Sequence, residues 1–467
     1  MKKNICSALR ASIVLLILTL LPACVPPTPQ SEPTPQGLLS FDDLTAKLDS
    51  LQGPSARSLT VPGASILTTV SGSSISFQDL ITYLNYLKQA FGSEVKKITS
   101  GLPYHVVPMP VLDYPSVDAN GNRLSLSGLM WVPFTWGRHL AAPFISLQHG
   151  AQVFRSCAPS QFDPNPLLVF LNKDQSGALQ NYIECIVGGL MASAGNIVLM
   201  PDYPGFGVSD APHPFVHTSL GNSVRDFVVA ARARLTGAVT SSGKLFLTGF
   251  SEGGYATMAG AKVVTQAGIQ VTGAVPCDGS YDLSGVMLSI MLYGQLNGQP
   301  FPVEFPWYLL WLVYGYHSVY GNNPFDYNAL LNPPYNTETP ELFDGNHTDA
   351  QLSATVPPVP TPPGSYMLTP AGQQSAAQSG AVYNCLLQND GYTNWPKGVP
   401  IVFVHCPQDE VEPLANAQVA AGVLNAPIVP VQPLSFVYQV FGSYHVAAYA
   451  PAMLAAFTAI ETMNRGY

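Results

Sequence analysis

The stretch Gly249-Phe250-Ser251-Glu252-Gly253 sets a serine between two glycines, a spacing that suggests covalent chemistry. A serine hydroxyl is a poor nucleophile at neutral pH, so it needs a base to take its proton and a third group to orient that base. Gly-x-Ser-x-Gly carries little weight alone in a chain with 40 glycines. Its surroundings add the weight: "KLFLT" precedes it with strand character and "YATMAGAKVV" follows with helical character. On such a strand-turn-helix the glycines make room for a turn that lifts the serine above the sheet. The plainer reading is a glycine-rich helix start packed on a strand.

The remaining parts must come from elsewhere in the chain. His445, in "VFGSYHVAAYA", is the best-placed base, because it follows the apolar run "LSFVYQVF", read as the last strand. The segment "VPIVFVHCPQDEVEP" offers Asp409, Glu410 and Glu412, of which Asp409 is nearest the strand end and is the expected orienting acid. Asp278 in "VPCDGSYDL" is the rival acid. An oxyanion needs two convergent amides. "FISLQHGAQ" supplies the backbone N–H of Ala151, and Glu252, next to the serine, supplies the other; the Glu252 side chain has no evident role. His149 is read as a loop brace, and His213, His217 and His317 as candidates for the site entrance.

Elements able to hold these residues alternate along the chain. Residues 41–100 read as a helical preface with Leu80, Leu84, Leu87 and Phe91 at helical spacing. An antiparallel hairpin turns at Asn120-Gly121. Short apolar runs at 144, 196, 244, 271 and 399 then alternate with helix-compatible stretches, which implies a mostly parallel sheet covered by helices on both faces. In such sheets the chemistry sits at the carboxyl ends of the strands. Residues 286–394, with "FPWYLLWLVYGYHSVYG" and "TVPPVPTPPG", break the rhythm and read as an inserted, mainly helical cap.

The serine, acid, histidine order of Ser251, Asp409 and His445 resembles the α/β-hydrolase superfamily over residues 101–285 and 395–467, most clearly from about 140. "PDYPGFGVSDAPHPF", from Pro201, is similar to a segment of secreted bacterial and fungal lipases and esterases. The resemblance implies an α/β-hydrolase fold and a carboxylic-ester hydrolase working through an acyl-enzyme, with no metal or organic cofactor. It also implies that Asp202 to Gly207 border the site and that Tyr203 shapes the pocket. Departures are "HGAQ" in place of "HGG", Cys406 at a usual glycine and Glu412 at a usual valine. Trp307 and Trp311 of the cap would suit an acyl chain or lipid surface. The alternatives are a serine peptidase or amidase of the same fold, and a binding protein that has lost catalysis.

Composition narrows the setting. Of 467 residues, 47% are hydrophobic and only 10% charged, with 43 prolines, as in an exported, loop-rich protein. A net charge of -9 without a basic stripe argues against a nucleic-acid partner. Lys2, Lys3, the apolar run from Ala11 and "LPAC" at Cys24 read as a signal peptide over 1–23 ending in a lipoprotein-like box. Cys24 is then the expected lipid anchor on a bacterial cell envelope, and proline-rich residues 24–40 a tether. Export permits disulfides, with Cys157–Cys185 the preferred pair.

Overall fold

The hairpin expected at Asn120-Gly121 opens the sheet. Strand β1 (His105–Val117) runs antiparallel to β2 (Arg123–Phe134), and the Asp118 carboxylate closes the turn by accepting the N–H groups of Asn120 and Asn122. Six strands follow: β3 (Leu140–Gln148), β4 (Ile197–Pro201), β5 (Val239–Phe250), β6 (Gly273–Cys277), β7 (Phe403–His405) and β8 (Ile428–Pro430). Together they form one eight-stranded sheet in the order β8-β7-β6-β5-β3-β4-β2-β1. Only the pairings of β1 with β2 and of β2 with β4 are antiparallel. This computed structural model describes residues 38–39, 60–61, 75–165 and 175–466; the signal segment, Cys24 and residues 25–37 of the tether lie outside them.

Strands β4 and β6 are buried along their whole length, as parallel strands covered on both faces must be. Side chains alternate between two cores. Ile145, Leu147 and Phe246 join α1 (Phe77–Ile98), α2 (Gln175–Ala192) and the last helix of the chain on one face. Phe144, Leu245 and Leu247 join α3 (His217–Arg234) and α4 (Glu252–Gln266) on the other. In α1, Leu80, Leu84, Leu87, Phe91 and Val95 recur every three or four residues and are all buried.

Between β6 and β7 the chain leaves the sheet and builds a run of short helices from Leu283 to Gln388, the longest being α5 (Trp307–Tyr320). This insertion has its own core around Trp307, Leu310, Tyr316 and Phe325, continuous with Tyr203, Phe206 and Tyr255 from the sheet's rim. After β7 come α6 (Ala415–Leu424) and, closing the fold, α7 (Tyr444–Arg465).

Two expectations change. "LSFVYQVF" is a helix, Ser435–Phe441, and the last strand is the three-residue β8 before it. Aromatic and β-branched residues suggested a strand, yet Val437 and Phe441 are buried while Gln439 between them is exposed, a spacing of four that fits a helical turn and not the two-residue alternation of a strand. The Cys157–Cys185 bridge does not form, and all five cysteines from Cys157 to Cys406 are thiols. Cys185 sits inside α2, its Sγ 3.5 Å from Asn181 Oδ1.

Candidate active site

Strand β5 ends at Phe250 and α4 starts at Glu252, leaving Ser251 alone to make the turn at φ 60, ψ -124. Such a backbone costs a non-glycine residue on the order of 1–3 kcal/mol and survives only when the surroundings impose it. Here they do. The Ser251 N–H donates to Cys277 O at 3.0 Å, while its carbonyl accepts from Gly254 and Tyr255 at 2.9 and 3.2 Å. A Cβ on Gly253 would stand 2.2 Å from Gln148 O, and one on Gly249 would stand 2.5 Å from Gly253 O. Both positions therefore demand glycine, and the serine is pinned where three strand ends meet.

The loop after β7 gives each of its three carboxylates a separate task. Asp409 Oδ1 accepts the N–H groups of Val411 and Glu412 at 2.9 and 2.7 Å, and Oδ2 lies 2.6 Å from His445 Nδ1. Glu410 accepts from Ser443 Oγ and Tyr444 N, tying down the first turn of α7, where His445 is the second residue. Glu412 accepts from Ser280 Oγ. The His445 ring packs 4.7 Å from Phe250, and His445 and Ser251 line one cavity. With Nδ1 bound to the carboxylate, Nε2 is the ring nitrogen left to exchange a proton with a hydroxyl.

Across that cavity stands the loop after β3. Ala151 lines it together with Ser251. Two residues of α2 grip this loop, with Glu184 Oε1 accepting the Gly150 N–H at 3.2 Å and Gln180 Nε2 donating to Ala151 O at 3.2 Å. Behind it, His149 stacks on Tyr203 at 4.0 Å, and the Tyr203 hydroxyl donates to His149 O. Burial lowers His149 to about 3, so its ring stays neutral and acts as a brace. Glu252 is the first residue of α4, where a helix leaves its amide without an intrahelical acceptor. Its side chain, unexplained by sequence, lies 2.6 Å from His213 Nε2, and His213 Nδ1 reaches Pro204 O. That buried pair fixes the start of α4 to the loop after β4.

The profile of the alpha/beta hydrolase family matches residues 184–457. This chain belongs to the alpha/beta hydrolase family. Solved structures agree at the level of fold. A Legionella pneumophila protein is 22% identical with TM-score 0.62, covering 80% of this chain and 95% of its own. The rice cell wall degrading esterase LipA from Xanthomonas oryzae is 19% identical with TM-score 0.59, covering 80% and 94%. Candida antarctica lipase A in its closed state is 15% identical with TM-score 0.51, covering 72% and 73%. No curated protein sequence matches the chain.

In this hydrolase a second acid stands behind the first. Asp278, at the end of β6, brings a carboxylate oxygen within 4.8 Å of ligand atoms of both Asp409 and His405. Its Oδ1 accepts the Cys406 N–H at 2.7 Å, and burial pushes its carboxyl up to about 7. It is therefore largely protonated at mildly acidic pH. The rival acid is a neighbour of Asp409, and His445 is bonded to Asp409.

Two apolar cavities of the hydrolase meet at Ala151, Ser251 and Tyr308. One runs under the insertion and is lined by Leu283, Leu309, Trp311 and Leu386, with Glu412 and Glu252 also in its wall. Trp311 lines this cavity. Trp307 does not: it is buried within the insertion, its Nε1 donating to Ser353 Oγ, and the adjacent Tyr308 lines both cavities instead. Tyr203 is also withdrawn from both, since its ring is fully buried against His149. His213 and His217 are buried outside both cavities, as is half-buried His317, whose Nδ1 is bonded to Phe325 O. Asp202 lies under the rim, accepting from Ser127 Oγ and Ser160 N. Sequence reading missed Gln180, Glu184 and Tyr83 of α1, all of which line the second cavity. For Gln180 and Glu184 a signal existed, because they stand four apart on one helix face.

Proposed function

We propose that this protein is a serine carboxylic-ester hydrolase, a lipase or lipophilic esterase, with Ser251 as nucleophile, His445 as base and Asp409 as the group orienting that base. One observation carries the reading: the 2.6 Å contact of His445 Nδ1 with Asp409 opens onto the same cavity as a serine held at φ 60. Family membership supports hydrolysis, and fold neighbours that include an esterase and a lipase support the ester bond.

In the first half-reaction Ser251 Oγ bonds to the ester carbonyl carbon as His445 Nε2 takes the hydroxyl proton. The backbone N–H groups of Ala151 and Glu252 donate to the oxyanion that develops. The bond from carbon to the alcohol oxygen then breaks, and His445 returns the proton to the departing alkoxide. A water, deprotonated by His445, attacks the acyl-enzyme, and its proton passes through His445 to Ser251. The apolar cavity lined by Leu309 and Trp311 favours an acyl chain over a charged amino terminus.

Ser251→Ala is expected to lower hydrolysis of p-nitrophenyl butanoate by at least about 10⁴-fold with an unchanged circular dichroism spectrum. The intact protein is expected to label rapidly with a fluorophosphonate. Wild-type rates in the alanine variant would overturn the assignment. The lipoprotein-like box supports a further part of the proposal, anchorage to a bacterial envelope through acylated Cys24. Radiolabelled palmitate should enter the wild-type chain and not Cys24→Ala.

A further inference from the structure

We infer that the end of the sheet remote from Ser251 is a docking face for a bilayer with anionic headgroups, so that the docked protein turns its candidate active site away from the membrane. For its setting this rests on the proposed acylation of Cys24; for its geometry it rests on the fold. Strands β3 to β8 run parallel, and β2 runs against both β4 and β1. The start of β1 and the end of β2 therefore lie with the starts of the parallel strands, whereas Ser251 follows the end of β5. The 9 residues of β3 separate the two ends by about 30 Å. The chain arriving from the N-terminal side joins the fold at the remote end. Leu39 exchanges both main-chain hydrogen bonds with Val106, the second residue of β1, at 2.8 and 2.7 Å. Cys24 stands fifteen residues before Leu39, a reach of at most about 55 Å. An acylated Cys24 thus tethers the protein by this end and raises the effective concentration of this end at the bilayer.

The same end exposes large apolar side chains among cations. Leu102, three residues before β1, is 83% exposed, and Trp136, two residues after β2, is 61% exposed. The Trp136 ring stands 6.3 Å from His105 and 4.9 Å from Phe134, against the paired ends of β1 and β2. Exposed Lys96 and Lys97 close α1, and Arg138 lies between β2 and β3. Lys244 donates to Asn464 beside Arg465 at the end of α7, and Lys397 precedes β7; these cations are exposed too. Among the described residues, the segments forming this end contain two acids: Glu94 is bonded to Lys97, and Glu461 is buried beside Asn196. The insertion, which covers Ser251, has the opposite character. It carries Glu304, Asp326, Glu338, Glu341, Asp344 and Asp349 and no lysine or arginine. A chain of net charge -9 thus presents one cationic end, which an anionic surface attracts while it repels the insertion. An indole and a leucine set among lysines and arginines are the side chains that settle into a headgroup region. No basic stripe announces this face in the sequence, because its cations come from separate segments.

The test uses the full mature chain as Cys24→Ser, which reads docking without the anchor, and vesicles of phosphatidylcholine with about 30% phosphatidylglycerol. At about 50 mM salt the chain is expected to co-sediment with these vesicles at least about fivefold more than with pure phosphatidylcholine, and to be released at about 0.5 M. Trp136→Asn, a residue that accepts φ 53, should lower the bound fraction at least about threefold, as should Lys96→Glu combined with Arg138→Glu. Tyr293→Ala removes an aromatic ring that is exposed on the insertion, and should leave binding unchanged. Circular dichroism reports which variants are folded. Acylated wild-type protein on the same vesicles is expected to hydrolyse soluble p-nitrophenyl butanoate with kcat/KM within about twofold of the unanchored chain, because docking leaves the site open. Equal binding to both kinds of vesicle, loss of binding through Tyr293→Ala and not Trp136→Asn, or a site masked on docking would overturn this face. Tighter binding to heparin than to the anionic vesicles would assign it to a soluble polyanion instead. A Cys24 that takes up no palmitate would remove the anchor, and a wild-type chain that cleaves no ester would remove the proposed hydrolysis; the vesicle result is read independently of both.

Discussion

The rim of the sheet and the helical insertion line the same cavities by different means. At the rim, backbone does the work: Gly249 and Gly253 pass within contact of Gln148 and of each other, and Ser251, Asp409 and the loop of Ala151 are fixed by main-chain hydrogen bonds. In the insertion, apolar side chains such as Leu309, Trp311 and Leu386 form the wall, so its outline is set by side-chain packing. Backbone bonds hold an atom to within tenths of an ångström, as bond-making demands. Apolar packing tolerates exchange of one side chain for another of similar volume, as a pocket for variable chains allows. Substitutions at the rim should therefore act on kcat, and substitutions in the insertion on chain-length preference.

The largest expected effect is at the acid. Asp409→Asn should reduce kcat by roughly 10³–10⁴-fold, because the imidazole loses both its tautomer and the partner of its cation. Asp278→Asn should cost less than about tenfold; equal losses at the two positions would mean that the acids share the role. Next comes Gly253→Ala, expected to lower kcat about 10²-fold or more and to lower the melting temperature, since its Cβ must displace the Gln148 carbonyl. A near-wild-type Gly253→Ala enzyme would show that the rim is softer than its geometry implies.

Smaller effects belong to the insertion. Trp311→Ala should weaken hydrolysis of long-chain esters about tenfold relative to butanoates, with kcat for the short ester little changed; a uniform fall in kcat would break the contrast drawn here. The smallest is a pH effect where rim and insertion meet. Burial raises Glu412 to about 8 and Glu184 to about 7. The folded protein thus binds more protons than the unfolded chain between about pH 4.5 and 8. This contribution to stability is complete below the unfolded value and is lost progressively as pH rises from there to the folded one, on the order of 3–5 kcal/mol per group. Melting temperature should fall from pH 5 to 8, and Glu412→Gln should flatten the slope; an unchanged slope would dissociate that carboxyl from the effect.

Much of the rim was legible. Ser251 stood out because two glycines and a change of period from strand to helix are local signals, and Asp409 because it follows an apolar run and a proline. His445 was found through a mistaken premise, since the run before it is a helix and not a strand. The histidine reaches the site because Glu410 and Ser443 cap α7, a long-range contact with no sequence period. The insertion was legible in composition only. Trp307 and Trp311 are alike in sequence, yet α5 turns Trp311 to the cavity and Trp307 to Ser353.

Sequence by itself determined the alternation of strands and helices up to β7, the strained serine turn and the residue types of the proposed relay, because these depend on neighbours along the chain. Tertiary structure decided which carboxylate faces His445, what the Glu252 side chain binds and which aromatic rings face the cavity. Each of those depends on the angle at which one element crosses another, and that angle is set by packing between residues remote in sequence.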